Sequence, residues 1–125
     1  MKPHHLPESE TKLILRGVHL SLTEAMRAVL EAKTRRLFRH EPRILRVRVD
    51  VERDFHRGRR RFVAKGRIEI AGPDLTAAVA HEDAYAAINL LIAKLDRMLR
   101  KRTSNLLRHR AADDIRAHRS PALAG

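Results

Sequence analysis

The stretch Leu45-Arg46-Val47-Arg48-Val49-Asp50-Val51-Glu52 alternates apolar and charged side chains with a period of two. This period predicts a strand that buries one face and exposes the other. Residues 62–70 repeat the pattern after a polar turn predicted at residues 55–61, so the two strands are expected to form a hairpin. Gly66 lies inside the second strand and predicts either a bulge or a close contact with a helix.

Upstream of this hairpin the sequence predicts a short strand and a helix. The strand spans residues 12–16 and is expected to end at Gly17. The helix begins either at Ser21, which forms a capping-box pattern with Glu24, or at Thr23. The side chains predicted to form its buried stripe are Leu22, Met26, Val29, Leu30 and Leu37.

Downstream of the hairpin the sequence predicts a third hairpin strand and the longest helix. The strand covers residues 75–80, and Asp83 is the expected cap of the helix. The apolar stripe of this helix consists of Tyr85, Ile88, Leu91, Ile92, Leu95, Leu99 and, at its end, Leu106. The periodicity ends at His109, which predicts a flexible leader at residues 1–11, one domain at residues 12–109 and a flexible tail at residues 110–125.

The order strand, helix, three strands, helix predicts an α+β fold of two layers. Strands with one apolar face and helices with one apolar stripe can cover each other only if both helices lie on the same face of a four-stranded sheet. The first strand, the first helix and the second strand should form a right-handed crossover with parallel strands. A double-stranded-RNA-binding domain has the same broad plan. The other sheet face is left to solvent or to a partner, and it carries Arg46, Arg48, Lys65 and Arg67.

Composition points to a polyanionic partner. The 125 residues contain 27 Lys and Arg against 15 Asp and Glu, a formal net charge of +12. Such a surface attracts nucleic acid or anionic membrane. No apolar stretch approaches the roughly 18 residues of a membrane span, the N-terminus lacks a secretory signal, and cysteine is absent. We therefore expect a soluble cytoplasmic protein that binds nucleic acid.

Residue patterns for catalysis or metal binding are weak. The five glycines are too scattered for a phosphate-binding loop, and the eight histidines lack ligand spacing. Asp50 and Glu52 share one strand face, where ion pairing with Arg48, Lys65 or Arg67 is expected rather than acid–base chemistry. We expect no enzyme, no cofactor, no metal and no small-molecule substrate.

The last helix has a nearly uncompensated basic side. Residues 84–110 contain seven Lys and Arg but one carboxylate, Asp96. Opposite the apolar stripe, at helical spacing, lie Lys94, Arg97, Lys101 and Arg108. Because like charges on a solvated helix destabilise it, this row predicts an anionic ligand. Only 3% of the residues are aromatic, so stacking platforms are not expected and recognition of a folded RNA by its shape and phosphates is favoured.

Residues 81–99, HEDAYAAINLLIAKLDRML, resemble the HED-x-Y-x-AI-x-x-LI-x-KL-x-R-x-L segment of the ribosome hibernation factors. This family is also called the ribosome-associated inhibitor, protein Y or sigma-54 modulation family. The resemblance extends over about residues 12–108 and includes Lys33 and the segment at residues 22–25. It implies a short-form member that binds the small ribosomal subunit between head and body, over the decoding channel. Such a protein blocks translation in stationary phase or stress.

The resemblance also implies which residues contact rRNA. Lys94, Arg97 and Lys101 match the basic positions of the family's last helix, whereas Arg100 and Arg102 are weaker matches. The predicted rRNA-binding set is Lys94, Arg97, Lys101, Arg100, Arg108, Lys65 and Arg67. The protein is expected to be monomeric off the ribosome. The resemblance does not decide whether it promotes ribosome dimers or keeps single ribosomes inactive. The alternative function is that of a general regulator that binds double-stranded RNA.

Overall fold

A computed structural model describes residues 12–124, with side chains described for residues 12–109, 111 and 112. Four strands and two helices follow in the predicted order. They are β1 (Leu13–Val18), α1 (Glu24–His40), β2 (Arg46–His56), β3 (Arg59–Glu69), β4 (Leu75–His81) and α2 (Ala84–Ala124). The predicted α+β architecture is confirmed.

One mixed sheet holds the strands in the order β1-β2-β3-β4. β1 runs parallel to β2, with Leu13 opposite Val47 and Val18 opposite Glu52. β2 with β3 and β3 with β4 form antiparallel pairs. The parallel pair and the two hairpins agree with the predicted connections.

The core lies between the sheet and the helices. The inward residues of β2, Val47, Val49 and Val51, are completely buried. From α2 the core receives Ala84, Ala87, Ile88, Leu91, Ile92, Leu95 and Leu99. Burial of these aliphatic side chains supplies most of the favourable free energy of folding, at about 25 cal/mol per Å² of apolar surface.

Gly66 allows α2 to pack closely against the centre of the sheet. A Cβ atom added there would lie 2.6 Å from Leu95 Cδ1 and 3.2 Å from Leu91 Cδ2. The pairing of β3 with both neighbours continues through this residue without interruption. Of the two predictions for Gly66, the close helix contact is therefore confirmed and the bulge is wrong.

The N-terminus of α1 uses the second of its two predicted caps. Thr23 has an extended backbone (φ −75°, ψ 163°), and its Oγ1 accepts a hydrogen bond from the Met26 N–H at 3.1 Å. Ser21 as the cap is therefore wrong. Within the helix, the buried Thr34 hydroxyl donates to the Leu30 carbonyl at 2.7 Å, which satisfies its polar group inside the core.

The turn between β2 and β3 is much tighter than predicted. The strands extend to His56 and from Arg59, so the turn is Arg57-Gly58 rather than residues 55–61. Both turn residues have positive φ, 56° and 77°, the geometry of a type I′ hairpin turn. Because the turn is so short, residues predicted to be loop pair in the sheet instead.

Two strand ends also differ from the prediction. Gly17 does not end β1, since Val18 still pairs with β2. Before β2, Leu45 is 65% exposed and Ile44 is 1% exposed. The extrapolation of the alternating pattern back to Leu45 is therefore wrong, because the chain turns between α1 and β2 and places Ile44 in the core.

Two residues of the predicted apolar stripe of α2 lie outside the core. Tyr85 and Leu106 are each 36% exposed, so neither belongs to the buried stripe. Helical backbone continues past His109 to Ala124. The division into a flexible leader, one domain and a flexible tail stays a prediction. In the described part of the chain, no helix is both long enough and apolar enough to span a bilayer.

Candidate nucleic-acid interface

The segment before α2 fixes the start of this helix. Asp83 Oδ2 accepts a hydrogen bond from the Ala86 N–H at 3.1 Å, and the Asp83 carbonyl accepts one from the Ala87 N–H at 3.0 Å. His81 Nδ1 accepts from the Asp83 N–H at 2.9 Å, which holds the capping residue in place. A carboxylate at this end also opposes the positive pole of the helix dipole.

α2 buries an apolar side and exposes a basic side, on which Leu90 is the one large apolar residue by helical spacing between residues 84 and 101. Ile88, Leu91 and Leu95 are completely buried against the sheet. Lys94, Arg97, Lys101 and Arg108 are all exposed. Lys94 and Lys101 are about 10 Å apart along the helix axis. Among the side chains of residues 12–109, none of these four cations has a carboxylate partner within ion-pair distance. We call Lys94, Arg97, Lys101 and Arg108 the basic row.

Arg100 and Arg102 of this helix have partners within the protein. Arg100 Nε lies 3.2 Å from Asp96 Oδ2, one turn away on the same helix. Arg102 donates a hydrogen bond to the Pro73 carbonyl in the turn before β4. Arg102 therefore anchors the helix to the sheet, and Arg100 offers a charge that its neighbour already balances in part.

The outer face of the sheet is as rich in cations as α2, but its cations are paired. Lys65 lies 3.6 Å from Glu52. The Arg67 Nε–H donates a hydrogen bond to Asp74 Oδ2 at 2.7 Å, and Arg67 Nη2 lies 2.6 Å from the same oxygen. The remaining pairs are Arg16 with Asp50 at 2.8 Å, Arg48 with Glu69 at 2.9 Å, and Arg46 with Glu69 at 3.7 Å. This face is a lattice of alternating charges.

Asp50 and Glu52 belong to this lattice of ion pairs. Glu52 pairs with Lys65, one of its predicted partners. Asp50 pairs with Arg16 of β1 and not with a cation of the hairpin. The parallel register places Arg16 directly opposite Asp50, which the sequence pattern of the hairpin alone does not reveal.

A buried carboxylate links the two helices. Glu41, 6% exposed, accepts hydrogen bonds from Arg43 at 2.8 Å, and its Oε1 lies 3.4 Å from the Thr103 hydroxyl of α2. The side-chain hydrogen bonds from Arg43 outweigh the opposing effect of burial and lower the pKa of Glu41 from 4.5 to about 2. Glu41 therefore stays ionised and ties the end of α1 to the middle of α2.

The remaining sequence predictions concern Lys33 and metal binding. Lys33 is half-buried and lines a cleft between the helices together with Arg36, His40 and Asn89. Within the described residues, no three His, Cys, Asp or Glu side chains are grouped closely enough to hold a metal ion.

Sequence reasoning missed the exposed aromatic side chains. Phe55, at the end of the β2–β3 hairpin, is 68% exposed and Tyr85 is 36% exposed, so the premise that no aromatic ring is exposed is wrong. The sequence contains a signal for Phe55, because this odd-numbered apolar residue continues the period of β2 beyond Val51 into the predicted turn.

Two ribosome hibernation promoting factors are similar to this chain over most of its length. A ribosome hibernation promoting factor from Azotobacter vinelandii is 38% identical over 85 residues, which cover 68% of this chain and 76% of the relative. The ribosome hibernation promoting factor of Escherichia coli is 32% identical over 100 residues, covering 78% of this chain and 99% of the relative.

Solved structures and a family match agree with these relatives. A ribosomal subunit interface protein from Coxiella burnetii superposes with a TM-score of 0.64 at 18% identity, over 74% of this chain and 97% of that chain. The N-terminal domain of Protein Y from Thermus thermophilus superposes with a TM-score of 0.58 at 26% identity, over 70% and 92% of the two chains. The family described as sigma 54 modulation protein / S30EA ribosomal protein matches residues 13–106. The chain therefore belongs to the sigma 54 modulation protein / S30EA ribosomal protein family.

Proposed function

We propose that this protein is a ribosome hibernation factor of the bacterial cytoplasm. It binds the small ribosomal subunit over the decoding and tRNA channel through contacts with rRNA, and it inhibits translation in stationary phase or stress. Relatives named ribosome hibernation promoting factors and a neighbour named a ribosomal subunit interface protein support a role at the ribosome. Off the ribosome the protein is a monomer.

The observation that carries this proposal is the basic row of α2. Three of its members, Lys94, Arg97 and Lys101, are exposed and lack a carboxylate partner among the described side chains. The opposite side of the helix is fixed in the core, so the cations project from a rigid support. Because the helix backbone is already ordered, binding of phosphates restricts only the side chains of these cations, and it releases the counterions of the RNA.

The other predicted rRNA contacts have secondary roles. Arg108 lies farther along α2, and Arg100 is balanced in part by Asp96. Lys65 and Arg67 of the sheet must loosen their pairs with Glu52 and Asp74 before they can contact phosphate fully. We assign most of the binding free energy to Lys94, Arg97 and Lys101 for this reason.

Inhibition requires no chemical step by the protein. A folded domain with a rigid cationic side occupies the channel and excludes mRNA and tRNA from it. Because the attraction is electrostatic, occupancy should depend on ionic strength.

Co-sedimentation with purified small subunits tests the proposal. Replacing Lys94, Arg97 and Lys101 with Glu should abolish association and also inhibition of translation in a cell extract, because attraction to phosphate becomes repulsion. A control triple variant, Arg27→Glu, Arg35→Glu and Arg36→Glu, changes net charge equally on exposed positions of α1. The control should retain association.

Undiminished association and inhibition in the α2 variant would contradict the proposed contacts. Naked RNA decides between this function and the alternative of a general double-stranded-RNA binder. Tight binding to a free duplex, with no preference for small subunits, would favour the alternative.

A further inference from the structure

The hairpin of β2 and β3 projects beyond the rest of the sheet. Pairing of β1 with β2 ends at Glu52, and pairing of β4 with β3 ends at Phe62. Residues 53–61 therefore pair only across the hairpin, with Arg53 opposite Phe62 at its base. We call this projecting segment the arm. Its type I′ turn at Arg57-Gly58 matches the twist of the strands and keeps the arm short and ordered.

The arm concentrates positive charge. It contains five arginines and one carboxylate, Asp54. Asp54 is neutralised by Arg61, at 3.1 Å, which lies directly opposite on β3. The other four arginines, Arg53, Arg57, Arg59 and Arg60, are exposed, and no carboxylate among the described side chains pairs with them. As on α2, the charge is unbalanced.

An exposed aromatic ring lies within this charge. Phe55 is 68% exposed and directly opposite Arg60 in the ladder, while Arg53 precedes it on the same face of β2. Two guanidinium groups without a carboxylate partner among the described side chains thus flank one flat apolar surface. A single exposed apolar ring is common on protein surfaces, so the feature that marks Phe55 is its position between two exposed arginines.

The ring also borders an open depression of about 440 Å³. His19, Glu52, Arg53, Asp54 and Phe55 line it, at the edge of β2 just past the end of β1. Its two carboxylates are neutralised by their partners Lys65 and Arg61. The depression therefore does not repel an anion.

We propose that the arm binds unpaired RNA, with a nucleobase stacked on the Phe55 ring and the neighbouring phosphates held by Arg53 and Arg60. Single-stranded RNA presents flat bases alternating with anionic phosphates, which is the chemistry that a ring between two guanidinium groups complements. This inference rests on the proposed function in one respect, the choice of RNA as the partner, and it adds a contact remote in sequence from α2.

Fluorescence anisotropy with a short labelled single-stranded RNA tests the arm in the full chain. Phe55→Ala should weaken binding about tenfold, within the range measured for the loss of base–aromatic stacking. Phe55→Tyr keeps the ring and should stay within about twofold of the wild type. Because Phe55 is exposed, the thermal unfolding midpoints of both variants should match that of the wild type. A duplex of the same sequence should lose less affinity than the single strand.

A second pair of variants separates local from general charge. Arg53→Gln with Arg60→Gln should weaken single-strand binding more than Arg27→Gln with Arg35→Gln, which removes equal charge from α1. The proposal is overturned if Phe55→Ala binds the single strand as the wild type does, if Phe55→Tyr is as weak as Phe55→Ala, or if the two arginine pairs have equal effects. Small-subunit binding of the α2 variants is measured separately. An unchanged affinity of the α2 variants for small subunits would contradict the proposed function without affecting the arm. An unchanged affinity of Phe55→Ala for single-stranded RNA would contradict the arm without affecting the proposed function.

Discussion

The outer face of the sheet and the outer side of α2 carry similar numbers of cations but differ in how many of these cations are paired with carboxylates. On the sheet, Lys65 and Arg67 each have a carboxylate within 3.6 Å. On α2, Lys94, Arg97 and Lys101 are exposed with no such partner among the described side chains. Net charge alone does not distinguish these surfaces. The position of the nearest carboxylate does, because a paired cation must exchange one partner for another before it binds phosphate.

The largest expected effect comes from reversing charge on each surface in turn. Lys94→Glu with Arg97→Glu should lower affinity for small subunits by roughly 30-fold or more, because two phosphate contacts become repulsive. Lys65→Glu with Arg67→Glu makes the same change of net charge and should cost less than about fivefold. Quantitative co-sedimentation at one salt concentration checks both. Equal losses would remove the distinction between the surfaces.

The sequence predicts the basic row of α2 but only some of the ion pairs of the sheet. The row on α2 follows from helical spacing within one continuous segment, so it is visible without a structure. The pairing of Asp50 with Arg16 depends on the parallel register between β1 and β2, which no local pattern encodes. Long-range register is therefore where sequence reasoning about the charged surface ends.

Element types and the Asp83 cap of α2 were predictable, but several strand ends were not. Period-two alternation identifies β2 and β3, yet the tight Arg57-Gly58 turn lacks the Asn-Gly or Asp-Gly signature of a type I′ turn. That turn is what extends the strands into the arm and exposes Phe55. Ile44 replaces Leu45 in the core because the connection from α1, and not the strand period, orients it.

Glu41 offers a contrast to the exposed carboxylates of the sheet. Glu41→Gln should lower the free energy of unfolding by roughly 1–3 kcal/mol at neutral pH, because a buried, charge-assisted network is lost. The folded-state pKa of about 2 lies below the ordinary 4.5, so this stabilisation is present above pH 4.5 and disappears as pH falls from 4.5 toward 2. Urea denaturation across this pH range measures both effects.

An exposed pair supplies the control for Glu41. Asp50→Asn breaks the Arg16 pair, whose arginine side chain is 67% exposed, and should change stability by less than about 1 kcal/mol. If both variants are equally stable at neutral pH, Glu41 does not tie the helices together.

The position of α2 over the centre of the sheet is tested at Gly66. Gly66→Ala should destabilise the fold by about 1–2 kcal/mol, since its Cβ would meet the buried Leu95 and Leu91 side chains. Ala78→Ser, on an exposed position of β4, should change stability by less than about 0.5 kcal/mol. Thermal unfolding compares the two. An unchanged midpoint for Gly66→Ala would show that α2 packs less closely than described.

The smallest expected effect comes from removing the carboxylates that pair with cations of the sheet. Glu52→Gln with Asp74→Asn removes the partners of Lys65 and Arg67 and should raise affinity for RNA about two- to fivefold at low salt. Anisotropy titrations with a labelled RNA duplex measure the change. A decrease in affinity would indicate that the carboxylates position these cations for binding.

The salt dependence of small-subunit binding tests the basic row most directly. For the wild type and for Lys94→Gln with Arg97→Gln and Lys101→Gln, the logarithm of the binding constant is plotted against the logarithm of salt concentration. Three lost phosphate contacts should make the slope shallower by about 2–3. Parallel lines for the two proteins would contradict the assignment of rRNA contact to these three residues.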